Sequence, residues 1–320
     1  MCLLTAYDAT ADRVESSEGD DTLRGNGGND VMEGGAGNDN HLGGAGNDIL
    51  TDAFGEDVMK GGPGNDAIFG GAGPFDLLQG NEGNDFIVGG NDASEVFGGP
   101  GNDIIYVGDG LSESLGGDGD DWMEGSVSPA SILIGDENNQ FQDDPNEGND
   151  IIIAGLGDTD FDSEGGDDVM VSSVLPTHRL EGMLGFDWVT YRGDTHPVDA
   201  DMRIRVVLPP NLNELRDRFD PTEALSGFNQ NDLLRGDDRA GTAAGDPELS
   251  MAGHELTAAK VNALWVNPSD TGGASTNTLS TFLTAFGVTL PFSGGNILMG
   301  GAGAASTSLR TRRGPGRFMR

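Results

Sequence analysis

Aspartate recurs in this chain at an interval that invites a chemical reading. Asp30, Asp48, Asp66, Asp85, Asp103 and Asp121 follow one another at 18, 18, 19, 18 and 18 residues, each closing an Asn-Asp or Asp-Asp pair behind a turn glycine. A second series, Asp21, Asp39 and Asp57, runs nine residues out of phase and then decays, with Asp76 displaced and Ser94 and Ser112 at the expected positions. Asp150 and Asp168 take up the pattern further on. Stacked carboxylates oppose folding: two unit charges ~5 Å apart repel by roughly 3 kcal/mol at an effective dielectric near 20. A hard divalent cation between successive acids reverses that sign. Calcium suits such a place, because it accepts carboxylate and backbone carbonyl oxygens in flexible geometry, whereas magnesium keeps its waters and demands a stricter octahedron.

The elements that must hold these acids follow from the period. From Ser16 the chain divides into nines: SSEGDDTLR, GNGGNDVME, GGAGNDNHL, GGAGNDILT, DAFGEDVMK and GGPGNDAIF. One extra residue near Phe75 shifts the phase, and looser units continue to about residue 171. A disordered linker does not keep such a phase. The eighth place of each unit reads Leu23, Met32, His41, Leu50, Met59, Ile68, Leu78, Ile87, Val96, Ile105, Ser114, Met123, Ile132, Phe141, Ile152, Phe161 and Met170. Apart from His41 and Ser114 these are apolar, which marks a core stripe. Two units make an 18-residue coil of turn, short strand, opposite turn and short strand, so strands stack ~4.8 Å apart in parallel ladders with the stripe between two thin sheets. Because turns alternate sides, each aspartate series forms a column along one edge.

GGAGNDILT and GGPGNDAIF resemble the G-G-x-G-x-D-x-U-x nonapeptide of RTX (hemolysin-type) proteins, whose repeats form a calcium-binding parallel β-roll. The resemblance implies an all-β solenoid with 18 residues per coil over residues 16–171, in which sixth-position aspartates and turn carbonyls ligate several calcium ions. The implied ligands are Asp30, Asp48, Asp66, Asp85, Asp103 and Asp121, then Asp21, Asp39 and Asp57, then Asp150 and Asp168. Residues 1–15 form a lead-in. Residues 172–293 read as a C-terminal mixed α/β inserted or capping module with repeat echoes at 182–190 and 227–235, and 294–320 as a restart followed by a basic tail. Within the module, Met202–Pro210 alternates like a strand, and His254–Val266 and Thr276–Val288 carry helix-like spacing. The stretches GFDWVTYRGD, LRDRFDPTEALSGFNQNDLLRGDD and GGNILMGGAG are also similar to the repeat region of secreted bacterial proteins bearing an animal-type haem-peroxidase domain. That similarity implies an upstream catalytic domain in a longer parent chain, and no activity for these residues.

Composition excludes several classes. The net charge is −37, from 54 acidic and 17 basic residues, and 38 of the acids but only 4 of the bases fall before residue 181. Nucleic acid would be repelled. Cys2 is the single cysteine, so neither a disulfide framework nor a thiolate metal site is available. No apolar run reaches the ~18 residues of a membrane span. His254-Glu255 lacks a second histidine at Ala258, which argues for a surface pair over zinc. Arg192-Gly193-Asp194 spells an adhesion tripeptide but reads more simply as a turn ending a strand. No nucleophile–base pair is evident, so no enzymatic activity is expected. Both ends look cut, with a nonapeptide begun at Gly300 and abandoned at Ala304. The expected protein is a secreted, calcium-binding repeat module, exported in its parent by a type I route, disordered without the ion and folded with it. A piece of a secreted enzyme, or of an adhesin or cytolysin with a cell-surface partner, is the alternative.

Overall fold

A computed structural model describes residues 3–6, 9–110, 112–125, 130–136, 148–173, 178–204, 217–220, 222–236, 297–299 and 306–308. Among these residues every regular element is a β-strand, and most are three residues long. The chain winds as a parallel solenoid. Its two long sheets have 11 and 12 strands, and from Leu3–Thr5 to Asp158–Asp162 consecutive strands alternate between them.

Strand length follows from the unit. A three-residue strand turns its middle side chain inward and its flanking side chains outward, because side chains alternate along a strand. Val31–Glu33, Ile49–Thr51, Ala67–Phe69, Phe86–Val88 and Ile104–Tyr106 lie side by side in one sheet, with Met32, Leu50, Ile68, Ile87 and Ile105 in register. All five are wholly buried, as are Leu23, Met59, Leu78 and Val96 from the facing sheet. The turns are made by residues that tolerate left-handed backbone. Gly44 has φ 112° and Gly46 has φ 138°, and a β-carbon on Gly46 would strike the Gly28 carbonyl of the coil before it. Four other residues at the second place of a unit also take a left-handed backbone: Asn26 (φ 70°), Asn81 (φ 75°), Glu164 (φ 63°) and Met183 (φ 61°). Asparagine is among the few other residues enriched in that region.

Two irregularities are absorbed without breaking the sheets. The extra residue near Phe75 is taken up in the turn, and Asp76–Gln79 pairs Val58–Lys60 on one side and Ser94–Phe97 on the other. At the degenerate unit GSVSPASIL the stripe moves by one residue. Leu133, not Ile132, pairs with Ser114 and is fully buried, while Ile132 faces outward at 43% exposure. The nine-residue count assigned Ile132 because it carried the phase through a coil that runs 29 residues from Asp121 to Asp150. Phe141 lies outside the described residues.

Described residues within 172–293 add strands to both sheets. Arg179–Glu181 and Arg218–Asp220 extend one, and Trp188–Thr190 and Ala224–Ser226 extend the other, which then receives Ile297–Met299. Leu233–Arg235, from the second echo, pairs Asp199–Asp201 and Ser306–Ser308 in a separate three-stranded sheet. The described part of the expected strand at 202–210, Met202–Ile204, is a turn and bend. Its hydrophobic alternation gives way to the bonds Asp201 makes with Arg203. Arg192 and Gly193 form the turn expected after Trp188–Thr190, closed by the Asp194 N–H donating to the Tyr191 carbonyl at 3.2 Å. The expected helices at 254–266 and 276–288, His254-Glu255 and the basic tail lie outside the described residues.

The shifted stripe gives a direct test. Leu133→Ala should cost about 2–5 kcal/mol, as for other buried leucines, and Ile132→Ala less than about 1 kcal/mol. Urea midpoints of the calcium-loaded chain measure both, and equal losses would put the register back on Ile132.

Candidate metal centre

The first aspartate column is continuous. In each coil the sixth-position aspartate turns inward at the end of the glycine turn, and its Oδ1 accepts the N–H of the equivalent residue one coil earlier. Asp30 accepts from Asp12, Asp48 from Asp30, Asp66 from Asp48, Asp85 from Asp66, Asp103 from Asp85 and Asp121 from Asp103, every one at 2.7 Å. The ladder then crosses the 29-residue coil, with Asp150 accepting from Asp121 and Asp168 from Asp150 at 2.8 Å. Asp187 accepts from Asp168 at 3.2 Å, and Glu223 accepts from Asp187 at 2.9 Å.

One oxygen of each carboxylate is therefore engaged. The other is not: Oδ2 of Asp30, Asp48, Asp66, Asp85, Asp103, Asp121, Asp150, Asp168 and Asp187 is buried and meets no hydrogen-bond donor. These oxygens face the backbone of the turn. A β-carbon on Gly80 would fall against both Asp85 Oδ2 and the Gly98 carbonyl oxygen, and the same holds for Gly98 with Asp103 and Gly116, and for Gly116 with Asp121 and Gly135. Each glycine thus leaves a small space bordered by a carboxylate oxygen and a carbonyl oxygen of the next coil. An acceptor-only pocket lined by hard oxygens matches the donor set of calcium. A buried carboxylate oxygen left without a donor is costly, which gives the pocket a reason to take a cation.

The second column is shorter. Asp39 accepts from Asp21 at 2.7 Å, Asp57 from Asp39 at 2.8 Å, and Asp76 from Asp57 at 3.0 Å. Asp76 is therefore in line, not displaced, because the inserted residue lengthens the turn and leaves the edge intact. Ser94 follows at the next rung. It is fully buried, but its hydroxyl has one oxygen and carries no charge, and there the carboxylate column stops.

Burial governs the electrostatics. Loss of hydration pushes Asp57, Asp66 and Asp103 up to about 7 from the ordinary 3.8, against the lowering effect of the N–H each accepts and with help from neighbouring carboxylates. Asp76 and Asp85 rise to about 6 and Asp121 to about 10 for the same leading cause. Asp48 is raised, and Asp150, Asp168 and Asp187 are raised strongly, again through burial first.

All eleven aspartates singled out from spacing lie in one of the two columns. Spacing passed over Asp76, and also Asp187 and Glu223. Asp187 was visible as the sixth residue of GMLGFDWVT, while Glu223 lies 36 residues on, nine before Asp232, with no glycine turn ahead of it to mark the unit. Asp232, sixth in the 227–235 echo, accepts from Val198 at 3.0 Å and Phe228 at 3.1 Å. A second, exposed ladder was also missed. Fifth-position asparagines accept N–H groups from the following coil, Asn29 from Asn47, Asn47 from Asn65 and Asn65 from Asn84 at 3.0 Å, and Asn84 from Asn102 at 2.9 Å. The recurring Asn before Asp was its signal.

Residues 8–40, 42–74 and 76–110 match the family model described as the RTX calcium-binding nonapeptide repeat (4 copies). No curated protein and no solved structure matches the chain. The resemblance of the C-terminal stretches to haem-peroxidase proteins thus has no counterpart in these comparisons.

The raised carboxylates fix the sign of the pH response. Without a metal, the folded columns hold protons that the unfolded chain has lost above about pH 4. Their contribution to stability is present at acid pH and lost as pH rises through 6 and 7, where Asp85, Asp66 and Asp103 would have to ionise inside the roll. Chelator-treated chain should therefore keep more β circular dichroism at pH 4 than at pH 8. Bound calcium requires the ionised acids, so its midpoint concentration should rise by more than about tenfold from pH 7.5 to pH 5. A calcium midpoint independent of pH would contradict the burial of these groups.

Proposed function

We propose that this chain, which carries RTX calcium-binding nonapeptide repeats and folds as a parallel β-roll, is a secreted module whose folding is driven by calcium outside the cell. Repeats of this family bind several calcium ions per array. The observation that carries the assignment of sites is the run of buried Oδ2 atoms without donors, one per coil from Asp30 to Asp187. In this reading Asp30, Asp48, Asp66, Asp85, Asp103, Asp121, Asp150, Asp168 and Asp187 hold ions along the first edge, together with turn carbonyls such as that of Gly98. Asp21, Asp39, Asp57 and Asp76 serve the second edge. The ion supplies positive charge to acids that repel one another, and the chain's own residues do the rest. Oδ1 holds each carboxylate in place through a backbone N–H, the glycines open the space, and the apolar stripe excludes water.

Such a chain is extended and acidic where calcium is scarce, which suits passage through a secretion channel, and compacts where calcium is abundant. Extracellular modules commonly bind at about 10⁻⁴–10⁻³ M. Its role in a parent protein is to fold, stabilise or help export what is attached to it.

Calcium titration of the full chain, followed by far-UV circular dichroism and hydrodynamic radius, tests this reading. A steep gain of β signal with compaction is expected near millimolar calcium. Asp66→Ala and Asp85→Ala should each lower the bound-calcium count, measured by calorimetry, by more than one, because each rung adjoins the coil before and the coil after. Identical spectra and radii in chelator and in ~10 mM calcium would end the proposal.

A further inference from the structure

One coil departs from the repeat twice, and the two departures meet. At the eighth place, where the coil before has Leu23 and the coil after has Met59 in register, this coil has His41. Eleven residues on, where the flanking turns begin with Gly34 and Gly70, stands Asp52. His41 is fully buried in the core stripe, and its Nε2 lies 3.1 Å from Asp52 Oδ2. The Asp52 carboxylate is itself shut off from solvent, although the rest of the residue reaches the surface. The third member is Asp39, whose buried Oδ2 meets no donor.

We infer that His41 Nε2, Asp39 Oδ2 and Asp52 Oδ2 form a binding site for a first-row divalent transition metal of the zinc class, which takes Asp39 Oδ2 in place of a calcium ion at that one rung of the second column and differs in chemistry from the all-oxygen sites. The three atoms lie within 4.8 Å of one another. They also surround a common point: the position a β-carbon would take on Gly34 is 2.0 Å from Asp52 Oδ2, 2.5 Å from His41 Nε2 and 2.6 Å from Asp39 Oδ2. Zinc binds imidazole nitrogen and carboxylate oxygen at about 2.0–2.2 Å, so small movements bring all three into range.

The carboxylates are already aimed. Asp39 Oδ1 accepts the Asp21 N–H at 2.7 Å, and Asp52 Oδ1 accepts from Ala53 at 2.5 Å and from Phe54 at 3.2 Å. Each acid is thus fixed by one oxygen while the other turns toward the imidazole. An ion pair between His41 and Asp52 alone would leave Asp39 Oδ2 unanswered and one net negative charge in the cluster. A divalent cation held by neutral imidazole and two carboxylates leaves none. Nitrogen separates the classes of metal, since imidazole suits zinc and its first-row neighbours while calcium takes oxygens.

The inference goes beyond the calcium reading and is tested apart from it. The full chain in saturating calcium is incubated with Co2+ or Zn2+ and freed of excess metal. His41→Leu and Asp52→Gly restore what the repeat has elsewhere and are read alongside, and calcium-induced circular dichroism on the same samples reports the calcium reading separately. One retained transition metal per chain is expected, with visible Co2+ absorption and an imidazole nitrogen in the X-ray absorption of the zinc form. Both substitutions should weaken Co2+ binding by more than about tenfold while leaving the calcium response in place. Failure of the wild type to retain Co2+ or Zn2+, an all-oxygen shell around the zinc, or unchanged Co2+ binding in the two variants would each overturn it. Should a variant lose its fold, the zinc coordination shell of the wild type decides alone.

Discussion

Each coil of this roll is tied to the next by an aspartate whose Oδ1 accepts a backbone N–H and whose Oδ2 meets no donor. The rest of the structure is arranged around that half-satisfied carboxylate. Loss of hydration makes the ionised acid unfavourable, and the neighbouring acids above and below add repulsion. A proton or a metal ion can answer the oxygen. The proton serves only at acid pH, whereas a divalent cation would suit the ionised column at neutral pH.

Other features of the repeat follow from the same need. One buried apolar side chain per unit makes a core only one residue deep, so it aligns coils more than it holds them. Left-handed turn residues bring carbonyl oxygens beside the carboxylates, at places where a β-carbon would collide with both. The exposed asparagine ladder ties the same turns from outside, with the direction of its bonds reversed relative to the aspartate ladder. Turn, ladder and stripe thus repeat together, and a chain that slipped by one residue would lose all three.

The roll tolerates insertion where the edge can be re-formed. An extra residue near Phe75, a 29-residue coil and a 36-residue excursion all end with an acidic oxygen accepting from the previous rung. Where the carboxylate itself is lost, at Ser94, the acid ladder ends although the sheet runs on. Substitution elsewhere has a different result. At Asp52 and His41 the repeat gives up a glycine and an apolar residue, and gathers a nitrogen and two oxygens about one point.

Much of this is legible in the sequence. The nine-residue period, the inward residue of each strand and the two aspartate columns are local consequences of strand alternation and turn chemistry, and a sequence repeats them openly. Counting failed where the chain between two rungs changed length. Period alone put Ile132 in the core and Asp76 out of line, because hydrogen-bonded register, not residue count, decides which side chain faces inward. Glu223 joined the first column, and His41 met Asp52, only through coils stacked in space. The sequence alone determined the repeat and its appetite for a hard cation. The tertiary structure decided which acids share an edge, which oxygens lack a donor and where nitrogen joins them, since parallel stacking makes neighbours of residues that lie a whole coil apart.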